Sequence, residues 1–167
     1  MSYTLKALVG IGVAVMVGGR VRAEDGAAGL VTQRNLSLAM AKAIAEGTLE
    51  ACRAKGVHSS AVVVDRAGQV LVLLRDEQST AQQAEMARRK AYTARMFRTT
   101  TLEFQKRTMD PAVAPQRQIA DILALGGGVP IKAGEEVIGG VGSSGSNQEG
   151  DDACAKAGIA KVANLLK

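Results

Sequence analysis

Ala61-Val62-Val63-Val64-Asp65-Arg66-Ala67-Gly68-Gln69-Val70-Leu71-Val72-Leu73-Leu74 is the stretch on which the fold turns. A β-branched run, a turn-forming Asp-Arg-Ala-Gly and a second apolar run predict a β-hairpin. The period changes on either side of it. Upstream, Ser37 is placed to cap a helix in which Leu38, Ala41, Ala45, Leu49 and Cys52 recur at helical spacing, while Lys42, Glu46, Glu50 and Arg53 point away. Lys55 and Gly56 close that helix. Downstream, residues 76–83 read as a polar loop and residues 84–98 as a helix dense in Ala, Met and basic side chains. Thr99-Thr100-Thr101 is a break and cap, residues 102–108 make a short helix, and Asp110-Pro111 ends it.

A second hairpin follows. Gly126-Gly127-Gly128 leads into Val129-Pro130-Ile131, Ala133-Gly134-Glu135 turns the chain, and residues 137–141 return. Pro130 calls for an edge or strand-start position. Residues 116–125 are expected to form a helical turn running into a short strand. Residues 149–166 read as the last helix, with Ala155, Ile159, Val162 and Leu166 on its buried stripe. Asp151 and Asp152 lie in its first turn, where they suit the helix dipole. Hairpins with helices before, between and after predict one α+β domain with an antiparallel sheet.

The chain has 167 residues, 47% apolar and 22% charged, a globular composition sized for one domain. Aromatic residues are only 2%: two Tyr, two Phe and no Trp. No stacking platform for bases can be built from so few. Residues 1–23 read as a cleavable export signal, with Lys6 as the positive start, an uncharged apolar stretch over residues 7–19, and Val21-Arg22-Ala23 at the cleavage position. Residues 24–34 are then a flexible lead-in and residues 35–167 the domain. The formal charge is +5, but Lys6, Arg20 and Arg22 belong to the signal, which has no acidic residue; without it 18 basic face 16 acidic groups, a balance of +2. No nucleic-acid partner is expected, and no stable membrane anchor after cleavage. The expected location is periplasmic or secreted. Cys52 and Cys154 are the only cysteines, so an oxidising compartment allows one intrachain bridge. The alternative is two buried free thiols; neighbouring helices would favour the bridge.

Several motifs together carry a resemblance. A helix ending in Lys55-Gly56 leads into Ser60-Ala61-Val62-Val63-Val64-Asp65-Arg66-Ala67-Gly68. Then come Ala87-Arg88-Arg89-Lys90-Ala91-Tyr92-Thr93-Ala94, Gly127-Gly128-Val129-Pro130-Ile131, Glu136-Val137-Ile138-Gly139-Gly140-Val141-Gly142 and Asp151-Asp152-Ala153-Cys154. In this order, over residues 35–166, they resemble the GlcG/HbpS family of haem-binding-protein-like domains, related to the C-terminal domain of PduO-type proteins. The resemblance implies a profilin-like fold, a five-stranded antiparallel sheet with packed helices, assembled as a homo-oligomer. It also implies a small-molecule ligand, haem first, with exported members binding or degrading it. One departure stands out: many relatives carry a His before the Ala-Arg-Arg-Lys helix, where this chain reads Glu77-Gln78-Ser79-Thr80-Ala81-Gln82-Gln83.

Haem iron takes an axial His, Met, Tyr or Cys, and its propionates take Arg or Lys. His58 is the sole histidine; Met86, Tyr92 and Met96 are the other candidate axial donors. Arg88 and Arg95, seven residues apart on one helical face, are candidate propionate partners, with Lys90 beside them. Each has a plainer role available: a hydrogen-bonded structural His, Met as core filler, a solvated basic face. The alternative function is a small acid/base enzyme acting on a carbonyl or carboxylate metabolite through Lys90, with Asp65 or Glu149 as its carboxylate. No metal site is expected, since one His and two distant cysteines do not make a ligand set.

Overall fold

The computed structural model describes residues 29–167. The signal at residues 1–23 and the first part of the lead-in lie outside the described residues. In chain order the elements are α1 (Leu38–Arg53), β1 (Ser60–Val64), β2 (Val70–Arg75), α2 (Ala81–Phe97), α3 (Thr101–Arg107), β3 (Gly128–Ala133), β4 (Glu136–Ser144) and α4 (Gln148–Ala160), with 3-10 turns at Ala114–Gln118 and Ala163–Leu165. Both expected hairpins form. They join through β1 and β4 into a wholly antiparallel sheet of order β2-β1-β4-β3. Pro130 sits on the edge strand β3, where its missing N–H costs the sheet nothing.

The sheet has four strands among the described residues, not five. The expected short strand within residues 116–125 does not form, because side chains of the helices take up that segment's backbone groups. Arg89 Nη2 donates to the Ile122 carbonyl at 2.7 Å, and the Leu123 N–H donates to Thr93 Oγ1 at 2.9 Å. With Gln148 Oε1 accepting the Gly126 N–H at 2.8 Å, no strand partner is needed.

All five residues of β1 are buried because the strand is covered on both faces. Ala61 and Val63 enter a core with Ala41, Ile44, Ala45 and Leu49 of α1 and Ala155 of α4. Val62 and Val64 face the other way, onto Ala87 and Ala91 of α2. On the first face, a disulfide between Cys52 and Cys154 ties α1 to α4, with Cα atoms 5.5 Å apart. The buried stripe of α1 runs Ala41, Ile44, Ala45, Thr48, Leu49 and Cys52; Leu38, in the first turn, is 64% exposed, and Leu36 just before the cap enters the core instead. The last helix ends at Ala160 rather than near residue 166, and Val162 reaches the core from beyond its end.

On the second face α2 lies unusually close to the sheet. A Cβ at Gly142 would strike the Ala87 carbonyl, one at Gly140 the Ala91 carbonyl, and one at Gly128 the Lys90 carbonyl. The helix answers with Ala87, Ala91 and Ala94, all fully buried. Small residues on both sides therefore replace the large aromatic contacts that the composition lacks. The helix begins three residues earlier than its apolar pattern suggests. Thr80 Oγ1 accepts the Gln83 N–H at 3.2 Å and Gln83 Oε1 accepts the Thr80 N–H at 2.7 Å, a capping box legible in Thr80-x-x-Gln83.

Replacing Gly142 by Ala forces a methyl group into the α2 backbone. A loss of about 1–3 kcal/mol or more is expected, the usual cost of overpacking a tight core. Urea unfolding of Gly142→Ala checks this as a lowered midpoint at unchanged slope.

Candidate functional site

Lys90 is the largest fully buried side chain among the described residues. Its Nζ donates to Asp151 Oδ2 at 2.8 Å and to the Ser143 carbonyl at 3.0 Å, and the two side chains are 1% and 2% exposed. Asp151 Oδ1 in turn accepts the Ser146 N–H at 3.0 Å. Burial pulls the Lys90 ammonium below its ordinary value and pushes the Asp151 carboxyl above its own, while each charge opposes the shift of the other. The pair binds α2 to the end of β4 and the start of α4. The Ser143 hydroxyl, 3.6 Å from Cys52 Sγ, continues the cluster to the disulfide.

Asp151, not Asp65 or Glu149, is the partner of Lys90. Asp65 caps its own turn, with Oδ1 accepting the Ala67 and Gln69 N–H groups at 2.8 and 2.9 Å. Glu149 is exposed in the first turn of α4. The sequence does hold a signal for Asp151, because Asp151, Cys154, Ala155 and Gly158 share one helical stripe and all are buried.

A second cluster lies near the start of α2. His58 Nδ1 bonds Asp76 Oδ1 at 2.9 Å, and Arg53 Nε donates to Asp76 Oδ2 at 2.6 Å. The Asp76 side chain is fully buried, and the Arg53 hydrogen bond leads the interactions that hold its carboxyl down to about 2. The single histidine thus serves a buried carboxylate.

The remaining candidates spread along α2. Arg88 bonds Glu85 at 2.7 and 2.8 Å and Asp121 at 2.6 Å, so its Nε and Nη2 are both taken up by carboxylates. Those two carboxylates raise its pKa well above the ordinary value. Met86 is half-buried one helical turn before Lys90. Tyr92 and Met96 lie one turn apart against Gly68 in the β1–β2 turn, where a Cβ would be 2.8 Å from Tyr92 Cδ2 and 2.5 Å from Met96 Cε. Gly68 has a φ of +82°, so the turn requires glycine on conformational grounds as well.

Beside that contact is a cleft of about 320 Å³ lined by Arg66, Arg95, Arg98, Glu135, Glu136 and Val137. Arg66 is paired with Glu136 at 2.7 Å and also donates to the Arg34 carbonyl. Arg34 joins from the other side, 3.3 Å from Glu136 and 2.8 Å from the Ala133 carbonyl. Arg95 Nε is buried with no hydrogen-bond partner among the described residues. Burial first, then the charges of Arg98 and Arg66, lower the Arg95 pKa. Arg66 and Arg98 do not emerge from sequence reasoning, because one belongs to a turn and the other to a helix end until folding brings them together. Arg95 is the one sequence candidate in this cleft. Among the described residues there is no cluster of three or more His, Cys, Asp or Glu side chains suited to a metal.

A family model described as haem-degrading protein HbpS-like matches residues 36–160. A crystal structure of HbpS is 35% identical, with a TM-score of 0.75, and the match covers 78% of this chain and 92% of that one. Streptomyces reticuli HbpS, in a variant with two glutamates changed to aspartate, is 31% identical at a TM-score of 0.75, covering 93% and 97%. The PduOC–haem complex is 25% identical at a TM-score of 0.68, covering 75% and 94%. A search of curated proteins finds no match.

Removing one side of the buried pair strands the other. Lys90→Ala is expected to cost about 3–5 kcal/mol in urea unfolding, and Lys90→Met with Asp151→Asn to recover most of it. The Asp76 interaction has its own pH signature. A carboxyl held at about 2 against an ordinary 3.8 stabilises the fold fully above the ordinary value, and this is lost as pH falls through about 2. Asp76→Asn should therefore flatten the acid limb of a stability–pH curve between those values.

Proposed function

The chain belongs to the HbpS-like family, and from that premise we propose that it is an exported haem-binding protein. The observation that carries this reading is that Tyr92 and Met96 lie against Gly68 of the β1–β2 turn while Arg95, on the same helix, lines a cleft with Arg66 of that turn. A phenol and a thioether are iron donors, and a guanidinium is a propionate partner. The donor set fits the group. The haem complex of a structural neighbour, PduOC, supports the same reading. Bound haem would supply a redox-active iron; the protein's part is to offer a donor and hold the carboxylate arms.

Within this reading Tyr92 and Met96 are the axial candidates. His58 is set apart by position: its Nδ1 bonds Asp76 near the start of α2, while Arg95 is fourteen residues beyond Ala81, about 21 Å along the helix. Lys90, enclosed with Asp151, holds the helix that carries the site. Export is supported by the disulfide. Among the described residues no helix is long and apolar enough to cross a membrane. The homo-oligomer is proposed from the family resemblance.

Hemin added to the purified protein should give a saturable Soret shift. Met96→Leu or Tyr92→Phe should change the band's position, and His58→Ala should leave it where it is. The absence of any saturable change overturns the haem reading.

A further inference from the structure

We propose that the cleft between the β1–β2 turn, the β3–β4 turn and the end of α2 is a carboxylate site, in which Arg95 and Arg98 hold the ligand's charged group and Arg66 forms the third wall. For haem as the source of that carboxylate, the proposal rests on the reading above; for a free carboxylate it stands independently.

The charges in the cleft are not balanced against one another. Three guanidiniums line it against Glu135 and Glu136; Glu136 is shared by Arg34 and Arg66, and Asp65 nearby caps its own turn. Neither Arg95 nor Arg98 has an ion-pair partner among the described residues. Arg95 is the more telling of the two, because its Nε is buried and unbonded. A buried donor with no acceptor is a standing cost in the free protein, and here it belongs to a side chain that lines the cleft.

Arg98 adds a second, independent observation. It caps α2 in the left-handed region, at φ 56°, a position where glycine is the relaxed choice. The chain keeps a long cation where the backbone favours the smallest residue, and that cation lines the cleft.

The lining also selects among anions. Two guanidinium forks offer planar paired donors that match a carboxylate. Glu135 and Glu136 at the rim, together with the negative end of the α2 dipole, weigh against a more highly charged group such as phosphate. Val137 supplies an apolar wall for the carbon chain behind the carboxylate. A volume of about 320 Å³ takes a short arm or a small dicarboxylate, not a tetrapyrrole ring. The ligand is therefore a carboxylate on a short aliphatic chain, from a haem propionate or a free small acid.

The test uses the full chain, with Arg98→Ala and Arg95→Gln, and three probes: hemin, hemin dimethyl ester and succinate. Arg98 is exposed, so its removal leaves the fold intact. If the source is haem, each variant binds hemin about tenfold or more weakly, and the wild type shows the same loss with the ester. If the wild type takes no hemin but succinate raises its melting temperature and not that of Arg98→Ala, the haem reading fails and the cleft stands. Equal binding of hemin and its ester by all three proteins, with no effect of succinate, overturns the cleft and leaves the haem reading intact. No response to any probe overturns both.

Discussion

Everything on one face of this molecule depends on how closely α2 can approach the sheet. Gly128, Gly140 and Gly142 leave bare backbone beneath the helix, and Ala87 and Ala91 fill the little space that remains. A residue with a Cβ at any of the three glycines would lift the helix. The lift would separate Lys90 from the Ser143 carbonyl and Asp151, and move Tyr92 and Met96 off Gly68. Beneath Ala87 and Ala91 an approach this close leaves no room for a ring, which fits the scarcity of aromatic residues.

A close contact between smooth surfaces has one weakness, which is that shape alone does little to fix the register. Glycine against alanine offers few knobs and holes. The buried ion pair supplies what shape does not. Lys90 must reach two fixed acceptors on different elements, and Asp151 is itself fixed by the Ser146 N–H. A buried pair adds little net stability over an apolar replacement, because both ions lose their water. We attribute its value here to direction: only one placement of α2 satisfies all three bonds. The disulfide completes the arrangement from the other side, since Cys154 follows Asp151 on α4 and Cys52 Sγ meets the Ser143 hydroxyl.

Much of the fold was legible because its signals are local. The Val62-Val63-Val64 run, the Asp65–Gly68 turn and Pro130 each report on their own neighbourhood, and both hairpins follow from them. Misreadings occurred where a distant group decides. Residues 116–125 look strand-like, yet Arg89 and Thr93 on α2 take up their backbone groups. Leu38 fits the apolar stripe of α1 but stands in its first turn, and Leu36 takes the buried place. The helix dipole by itself accounts for Asp151 in the first turn of α4; the stripe it shares with Cys154 and Ala155 is the signal that outranks the dipole and marks it as the Lys90 partner. The cleft was the least legible feature, since Arg66 comes from the β1–β2 turn, Arg95 and Arg98 from the end of α2, and only Arg95 carries a pattern of its own.

The electrostatics along α2 then explain why a ligand site belongs at one end of the helix and not the other. Near its start, Asp76 has Arg53 and His58, and Thr80 and Gln83 satisfy each other's N–H groups. Midway, Lys90 has Asp151 and Arg88 has Glu85 and Asp121. Arg89 gives Nη2 to the Ile122 carbonyl, and at the far end Arg95 and Arg98 line a cleft without ion-pair partners among the described residues. Beyond residue 23 the whole chain carries a balance of only +2, 18 basic against 16 acidic groups, so net charge conveys nothing about a ligand. The information lies in where the matching stops. Folding pairs Arg88 and Lys90 along α2 and gathers three guanidiniums against two carboxylates beside Val137, a local excess that an anionic ligand can answer.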